Sequence, residues 1–345
     1  MYGLFGEVGS IMTVAKKHYR ESDAYTSYQT AIEEEFGDAI WYLTALCRRL
    51  EIDVDAVFQK IFDQDATSAG AAKDPNIRPD AAASLPGLSS NLEALLLRLG
   101  EATANLLSLD RSRDRGLEKL QSFAGVYVGA LQASNVSFAA LLRSNIKKVR
   151  GRFARADLEL LPTFDHGSPK DEQIPERFEI HVVQRSDGRC YLQWHGVFIG
   201  DPLTDSIADH DGYRFHDVFH FSHAAILHWS PVFRALIKHK RKSDPLVDEA
   251  QDGGRAIVVE EGLTAWVFSR AKSLDFFKDR VTLSFDLLKN VQQFVAGYEV
   301  EECPLHLWEQ AIIRGYEVFR SVRKNNGGIV KCDRAKRSIQ YRPFS

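Results

Sequence analysis

Three carboxylates near the start of the chain have the types and spacing to bind a cation. Glu7 stands alone among small and apolar residues in GLFGEVGSIMTVAKKHYRE, and Glu35 and Asp38 lie three residues apart in EEEFGDAIWYLTALCRRL. On a helix that spacing puts both on one face. Phe36 and Ile40 flank them, and carboxylates beside an apolar face are costly unless paired or bound to a cation. Two answers stay open. One is a salt-bridged, solvated helix face with Lys16, Lys17 or Lys60 as partner. The other is a hard divalent cation on oxygen ligands; Mg²⁺ takes one or two carboxylates, several waters and a substrate's phosphates. Position 10, one turn after Glu7, carries serine, a weak neutral ligand.

A second constellation lies in DGYRFHDVFHFSHAAILHWSPVF, where His216, His220 and His223 share one helical stripe and Asp217 is adjacent. The i, i+4 spacing of His216 and His220 suits chelation of one ion. RAIVVEEGLTAWVF sets Glu260 and Glu261 inside an apolar run, where a pair of acids needs a partner. The histidines are the obvious one. Their pairing is either a hydrogen-bond network that staples two helices or a metal or catalytic centre. His228 and His239 are expected at an interface or the surface, and KHKRK (238 to 242) at the solvated basic end of a helix.

The elements that must position these groups show in the periodicity. Leu4, Val8, Ile11, Val14 and Ala15 share a helical face, as do Ile32, Phe36, Ile40, Leu43 and Leu46, and a shorter helix begins at Val54. Residues 1 to 64 form one helical unit, and 65 to 90 form a linker rich in Ala, Asp, Ser, Pro and Gly. Residues 91 to 150 resume helices in a block that echoes the first: LGEATANLL against FGEVGSIMT places Glu101 over Glu7, while Leu120 and Phe123 stand where Glu35 and Asp38 would fall. From 151 to 345 the expectation is an α-rich domain. It contains a β-hairpin around SDG (186 to 188), long helices near 213 to 242, 246 to 272, 280 to 298 and 304 to 324, and short pairing stretches at 328 to 332 and 338 to 342. The fold class is mostly α: a helical bundle, with a degenerate internal repeat as one option, then an α-rich domain with a small β-hairpin.

The run GLFGEVGSIMTVAKK, a polar gap and then EEEFGDAIWYLTALCRRLEIDVDAVFQKI resembles the MazG family of all-α nucleoside triphosphate pyrophosphohydrolases, over about residues 3 to 64. That family carries ExxE on one helix and ExxD on the next, in a four-helix arrangement that holds Mg²⁺. By this resemblance Glu7 matches the first acid of ExxE, Glu35 and Asp38 match ExxD, and Lys60 matches a lysine that reaches the phosphates. Ser10 departs from the pattern, standing where the second glutamate belongs, and leaves the set about one negative charge short.

The resemblance implies hydrolysis of a nucleoside triphosphate to monophosphate and pyrophosphate with Mg²⁺, or Mn²⁺ in its place. Glu35 and Asp38 would act in catalysis, Lys16, Lys17, Lys60 and Trp41 would contact substrate, and the helices would work as a homodimer or an intrachain pseudo-dimer. Two rivals accompany it: a nucleotide-binding sensor or interaction protein with a site weakened at Ser10, and a separate metallohydrolase on His216, Asp217, His220 and Glu260. The later segments RFHDVFH, HWSPVFRALIKHKRKS and RAIVVEEGLTAWVF resemble the C-terminal region of larger MazG-type proteins, which implies domain identity and no chemistry.

Composition bounds the remainder. The 345 residues carry 44 basic and 47 acidic side chains, a net charge of -3, which gives no overall pull toward nucleic acid or anionic membrane. Four scattered cysteines with no CxxC pair are expected as reduced thiols. The absence of a signal-like start or an apolar span leads to the expectation of a cytoplasmic protein with no membrane partner.

Overall fold

The computed structural model describes residues 1–59, 61, 92–109, 113–153, 161–205, 208 and 210–344. The chain divides into two compact units, Met1–Arg150 and Gly151–Ser345. Lys60 and the expected linker lie outside the described residues.

In the first unit, α1 (Tyr2–Glu21), α2 (Tyr28–Arg49), a helical stretch at 54–59, α3 (Leu92–Leu106), α4 (Arg113–Ala133) and α5 (Phe138–Phe153) follow in order. The buried residues of α1 are Leu4, Val8 and Ile11, spaced for one helical face. They meet Ile32, Phe36, Ile40 and Leu43 of α2 in a core shared with Leu95, Leu99, Leu120, Phe123 and Tyr127. The two helices approach closely at Gly3, where a Cβ would sit 2.2 Å from the Tyr42 ring. The second block packs on the first: the Tyr127 hydroxyl donates to the Phe36 carbonyl at 2.7 Å, and Asn145 Nδ2 donates to the Gly37 carbonyl at 2.7 Å. The expected single helix 115 to 150 is broken between α4 and α5, where Asn135 takes a positive φ of 54° and Ser137 Oγ accepts from Ala140 N.

The second unit is built on an antiparallel five-stranded sheet of order β3-β2-β1-β4-β5. Its strands are β1 (Arg177–Gln184), β2 (Cys190–Trp194), β3 (Val197–Leu203), β4 (Gly327–Asp333) and β5 (Ser338–Arg342). The expected hairpin is β1–β2, in register Ile180↔Trp194, and the two C-terminal stretches pair as foreseen. β4 also lies antiparallel to β1, which joins both hairpins into one sheet.

Helices α6 (Asp217–Ser222), α7 (Pro231–Ile237), α8 (Pro245–Ala250), α9 (Gly254–Lys272), α10 (Phe285–Phe294) and α11 (Leu305–Lys324) complete the unit. The long helix expected over 213 to 242 is in fact a series of short pieces. A π turn, His223–Leu227, follows α6, His228 then turns left-handed at φ 60°, and Ser230 caps α7 with Pro231 at its first position. Helix α11 runs through the core with Trp308, Tyr316 and Phe319 buried, and it meets α6 closely at Gly315, where a Cβ would lie 3.1 Å from Ser222.

Two expectations from the basic and histidine residues are corrected here. Arg241 of KHKRK is not solvated: Lys238 ends α7 in a left-handed turn, and Arg241 folds inward to Asp252 at 2.8 Å and Glu299 at 2.6 Å. His228 is buried, with Nε2 donating to the Arg334 carbonyl at 2.9 Å. Nearby, Asp165 pairs with Arg234 and Arg334, both at 2.7 Å, tying the start of the unit to α7 and to the β4–β5 turn. All four cysteines are free and buried. No single helix among the described residues is long and apolar enough to cross a membrane.

Candidate functional site

The N-terminal acids sit on two helices that pack together. Glu7 on α1 and Glu35 and Asp38 on α2 are all half-buried, as is Ser10. Among the described residues, two sets of three have ligand atoms all within 4.8 Å of one another: His216/Asp217/His220 and His220/His223/Glu260. Glu7, Glu35 and Asp38 do not form a third. Glu101, the echo of Glu7, is exposed, and Leu120 and Phe123 are fully buried. The second block therefore carries no matching carboxylate set.

Of the expected substrate contacts, Lys16 is exposed and Trp41 is 44% exposed, its ring edge-on to Tyr42 at 4.9 Å. Lys17 is engaged, with Nζ 4.2 Å from the Tyr25 ring and 3.9 Å from Glu21.

The C-terminal residues converge. Ala256, Glu260, Leu263, Thr264 and Val267 form the buried face of α9, so Glu260 points into the core and Glu261 stands at its edge, half-buried. Glu260 is surrounded by donors. His223 Nδ1 donates to it at 3.0 Å, Ser230 Oγ at 2.8 Å and the Val232 amide at 3.0 Å. His220 Nδ1 also lies 2.9 Å from Glu260 Oε1, but too poorly aligned for a hydrogen bond. On the outer side, Glu261 Oε2 lies 3.4 Å from His220 Nε2 and 3.5 Å from His216 Nε2. His216 Nδ1 donates to the Tyr213 carbonyl at 2.9 Å, and its ring stacks on Tyr213 with centroids 4.4 Å apart.

The electrostatics follow from this crowding. Burial alone would lower the His220 imidazole, but Glu260 and Glu261 push it up to about 10. Burial would raise Glu260, yet His220 and His223 hold it at about 2. Glu261 is likewise held well below the usual carboxylate range by His216 and His220 against the effect of burial. Asp217 goes the other way: burial raises its carboxyl, and His216 and His220 only partly offset that.

Behind His223 is a cavity of about 10 Å³, the size of one water molecule. Thr264 Oγ1, Trp308 Nε1 and the Tyr316 hydroxyl line it without a hydrogen-bond partner.

The structure thus brings His216, Asp217, His220 and Glu260 together with His223 and Glu261. Ser230, the Val232 amide and the Tyr213 carbonyl are further members of the centre that the residue pattern did not single out. Ser230 had a signal, since a serine before proline at a helix start is a cap. Tyr213 had none, because a backbone carbonyl has no residue type.

Compared with known proteins, residues 159–345 match the family model of the MazG C-terminal domain. No curated protein and no solved structure matches the chain.

Proposed function

This chain belongs to the family defined by the MazG C-terminal domain, and on that premise we propose that it is a nucleotide hydrolase whose N-terminal helices convert a nucleoside triphosphate to monophosphate and pyrophosphate. The observation that carries the reading is the placement of Glu7, Glu35 and Asp38, all half-buried, on the packed pair α1 and α2. The donors are oxygen only, a set that suits a hard cation such as Mg²⁺, with Mn²⁺ as a substitute. When bound, the ion supplies neutralisation of the triphosphate charge.

The chain's own groups do the rest. Glu35 accepts a proton from a water as that water's oxygen bonds to the α-phosphorus; the bond from that phosphorus to the bridging oxygen breaks, and pyrophosphate leaves. Trp41, partly exposed, offers a face for the base, and Lys16 a charge for the phosphates.

The test is a screen of nucleoside triphosphates with Mg²⁺ or Mn²⁺, reading pyrophosphate release. Glu35→Gln and Asp38→Asn should each abolish it; unchanged release in either variant overturns the assignment. A second reading, nucleotide binding without turnover, is favoured by Ser10 and by the open spacing of the three acids. It predicts that the wild-type chain binds nucleotide in equilibrium dialysis without releasing pyrophosphate.

A further inference from the structure

We propose that His216, Asp217 and His220, with Glu261 completing the set, hold one divalent transition-metal ion of the zinc class in the C-terminal unit. This site is separate from the N-terminal carboxylates and does not depend on their chemistry.

The first support is the direction of the imidazole lone pairs. A carbonyl can only accept, so His216 presents Nδ1–H to Tyr213 and leaves Nε2 as the bare nitrogen of the neutral ring. His220 sets its Nδ1 2.9 Å from Glu260, which likewise directs Nε2 away from that carboxylate. Both Nε2 atoms then approach Glu261 Oε2. For His216, an outer acceptor on Nδ1 with Nε2 left to face the ion is how metal-binding histidines are held, and at His220 the ion would take the place of the proton on Nε2.

Spacing is the second support. The contacts of 3.4 and 3.5 Å from Glu261 Oε2 to the two Nε2 atoms are long for hydrogen bonds. They match the edge of a tetrahedron with ligands about 2.1 Å from a central ion, which is about 3.4 Å. One ligand atom each from His216, Asp217 and His220 lie within 4.8 Å of one another, which places the Asp217 carboxyl beside the two imidazoles.

The third support is independent of the ligand pattern. His220 is fully buried, yet neither of its ring nitrogens makes an aligned hydrogen bond. A buried polar group left so is destabilising, and a bound ion would satisfy Nε2 directly. A divalent charge also offsets the adjacent carboxylates Glu260, which is buried, and Glu261, which is half-buried. Nitrogen donors mixed with carboxylate suit zinc, cobalt or iron over magnesium. The Glu261 side chain is 39% exposed, so the set reaches solvent at that carboxylate.

The test uses the full chain carrying Glu35→Gln and Asp38→Asn, so that the N-terminal acids do not compete. It is stripped with a chelator and titrated with Co²⁺ while visible absorption is recorded. One Co²⁺ per chain is expected, displaced by Zn²⁺. His216→Ala and Glu261→Gln should each weaken Co²⁺ binding by roughly tenfold or more, with circular dichroism unchanged, and Glu260→Gln, acting through His220, by about 10–100-fold. Should His216→Ala fail to fold, Glu261→Gln at the solvent edge gives the same reading. A folded parent chain that takes up neither Co²⁺ nor Zn²⁺ at millimolar concentration overturns the proposal. So does equal binding by the parent and Glu261→Gln.

Discussion

Replacing Glu260 by glutamine tests whether this side chain is the hub of the C-terminal unit. Its carboxylate receives His223 at 3.0 Å, Ser230 at 2.8 Å and the Val232 amide at 3.0 Å, with His220 at 2.9 Å. Glutamine keeps the shape but offers one oxygen and one NH₂ group. The NH₂ must then face at least one donor, and the charge on the remaining bonds is gone. Losing about two charge-assisted hydrogen bonds, each worth about 1.5–3 kcal/mol, predicts a destabilisation of about 3–6 kcal/mol. With a urea slope of about 2 kcal/mol/M, the midpoint should fall by about 1.5–3 M. The assay is urea unfolding of the full chain in chelator, so that no ion contributes. Tryptophan fluorescence reports the relevant unit, because four of the five tryptophans (Trp194, Trp229, Trp266 and Trp308) lie in it. Ser230→Ala, which removes one donor, should show a smaller shift. A midpoint within about 0.5 M of the parent at an unchanged slope would refute the hub, since it would mean the four contacts contribute little net.

Other perturbations follow from the same contacts. Asp165→Asn leaves Arg234 and Arg334 buried without their carboxylate, so thermal unfolding should show a loss of about 3–5 kcal/mol. His228 is held at about 4 by burial, then by Arg334 and Arg337, against about 6.5 in the unfolded chain. The unfolded state therefore binds more protons between those values, and stability should fall by up to about 3 kcal/mol as pH drops from about 6.5 to about 4. His228→Asn, a residue that tolerates the left-handed backbone, should flatten that stretch of the urea-midpoint profile; an unchanged profile would sink the assignment. Ser10→Glu should strengthen Mn²⁺ binding to the chain, measured by electron paramagnetic resonance, and weaker binding with an intact fold would show that the hydroxyl has its own role.

Much of the helical framework was legible because burial follows periodicity. Leu4, Val8 and Ile11 mark the face of α1, and Ile32, Phe36, Ile40 and Leu43 that of α2. The SDG turn with alternating neighbours marked β1–β2. What stayed hidden were long-range pairings and breaks. The β1–β4 pairing joins segments far apart in sequence, and nothing local specifies it. The pattern over 213 to 242 reads as helical, and a helical pattern does not reveal that the backbone turns left-handed at His228. Ser230 and Pro231 were the local sign of a restart. Arg241 was misplaced for a related reason: a basic run looks solvated until Asp252 and Glu299, remote in sequence, are brought to it. In the site, the i, i+4 histidines and the paired acids were legible, because buried polar residues need partners and few types can serve. Which nitrogen faces which oxygen was not, since that depends on the Tyr213 carbonyl and on the offset of Glu261 from Glu260 around α9.

Family membership and proposed activity rest on different halves of the chain. The matched residues, 159–345, enclose His216, Asp217, His220, Glu260 and Glu261 and exclude Glu7, Ser10, Glu35 and Asp38. The departure at Ser10 therefore says nothing about the domain that defines the family. The histidine centre, in turn, is not weakened if nucleotide turnover proves absent. Donor chemistry separates the two further: oxygen ligands favour Mg²⁺ and imidazoles favour the zinc class. Each centre can then fail on its own ion without disturbing the other. An ion-loaded C-terminal unit with a silent N-terminal bundle would overturn the proposed hydrolysis and leave the proposed metal centre of the family domain standing.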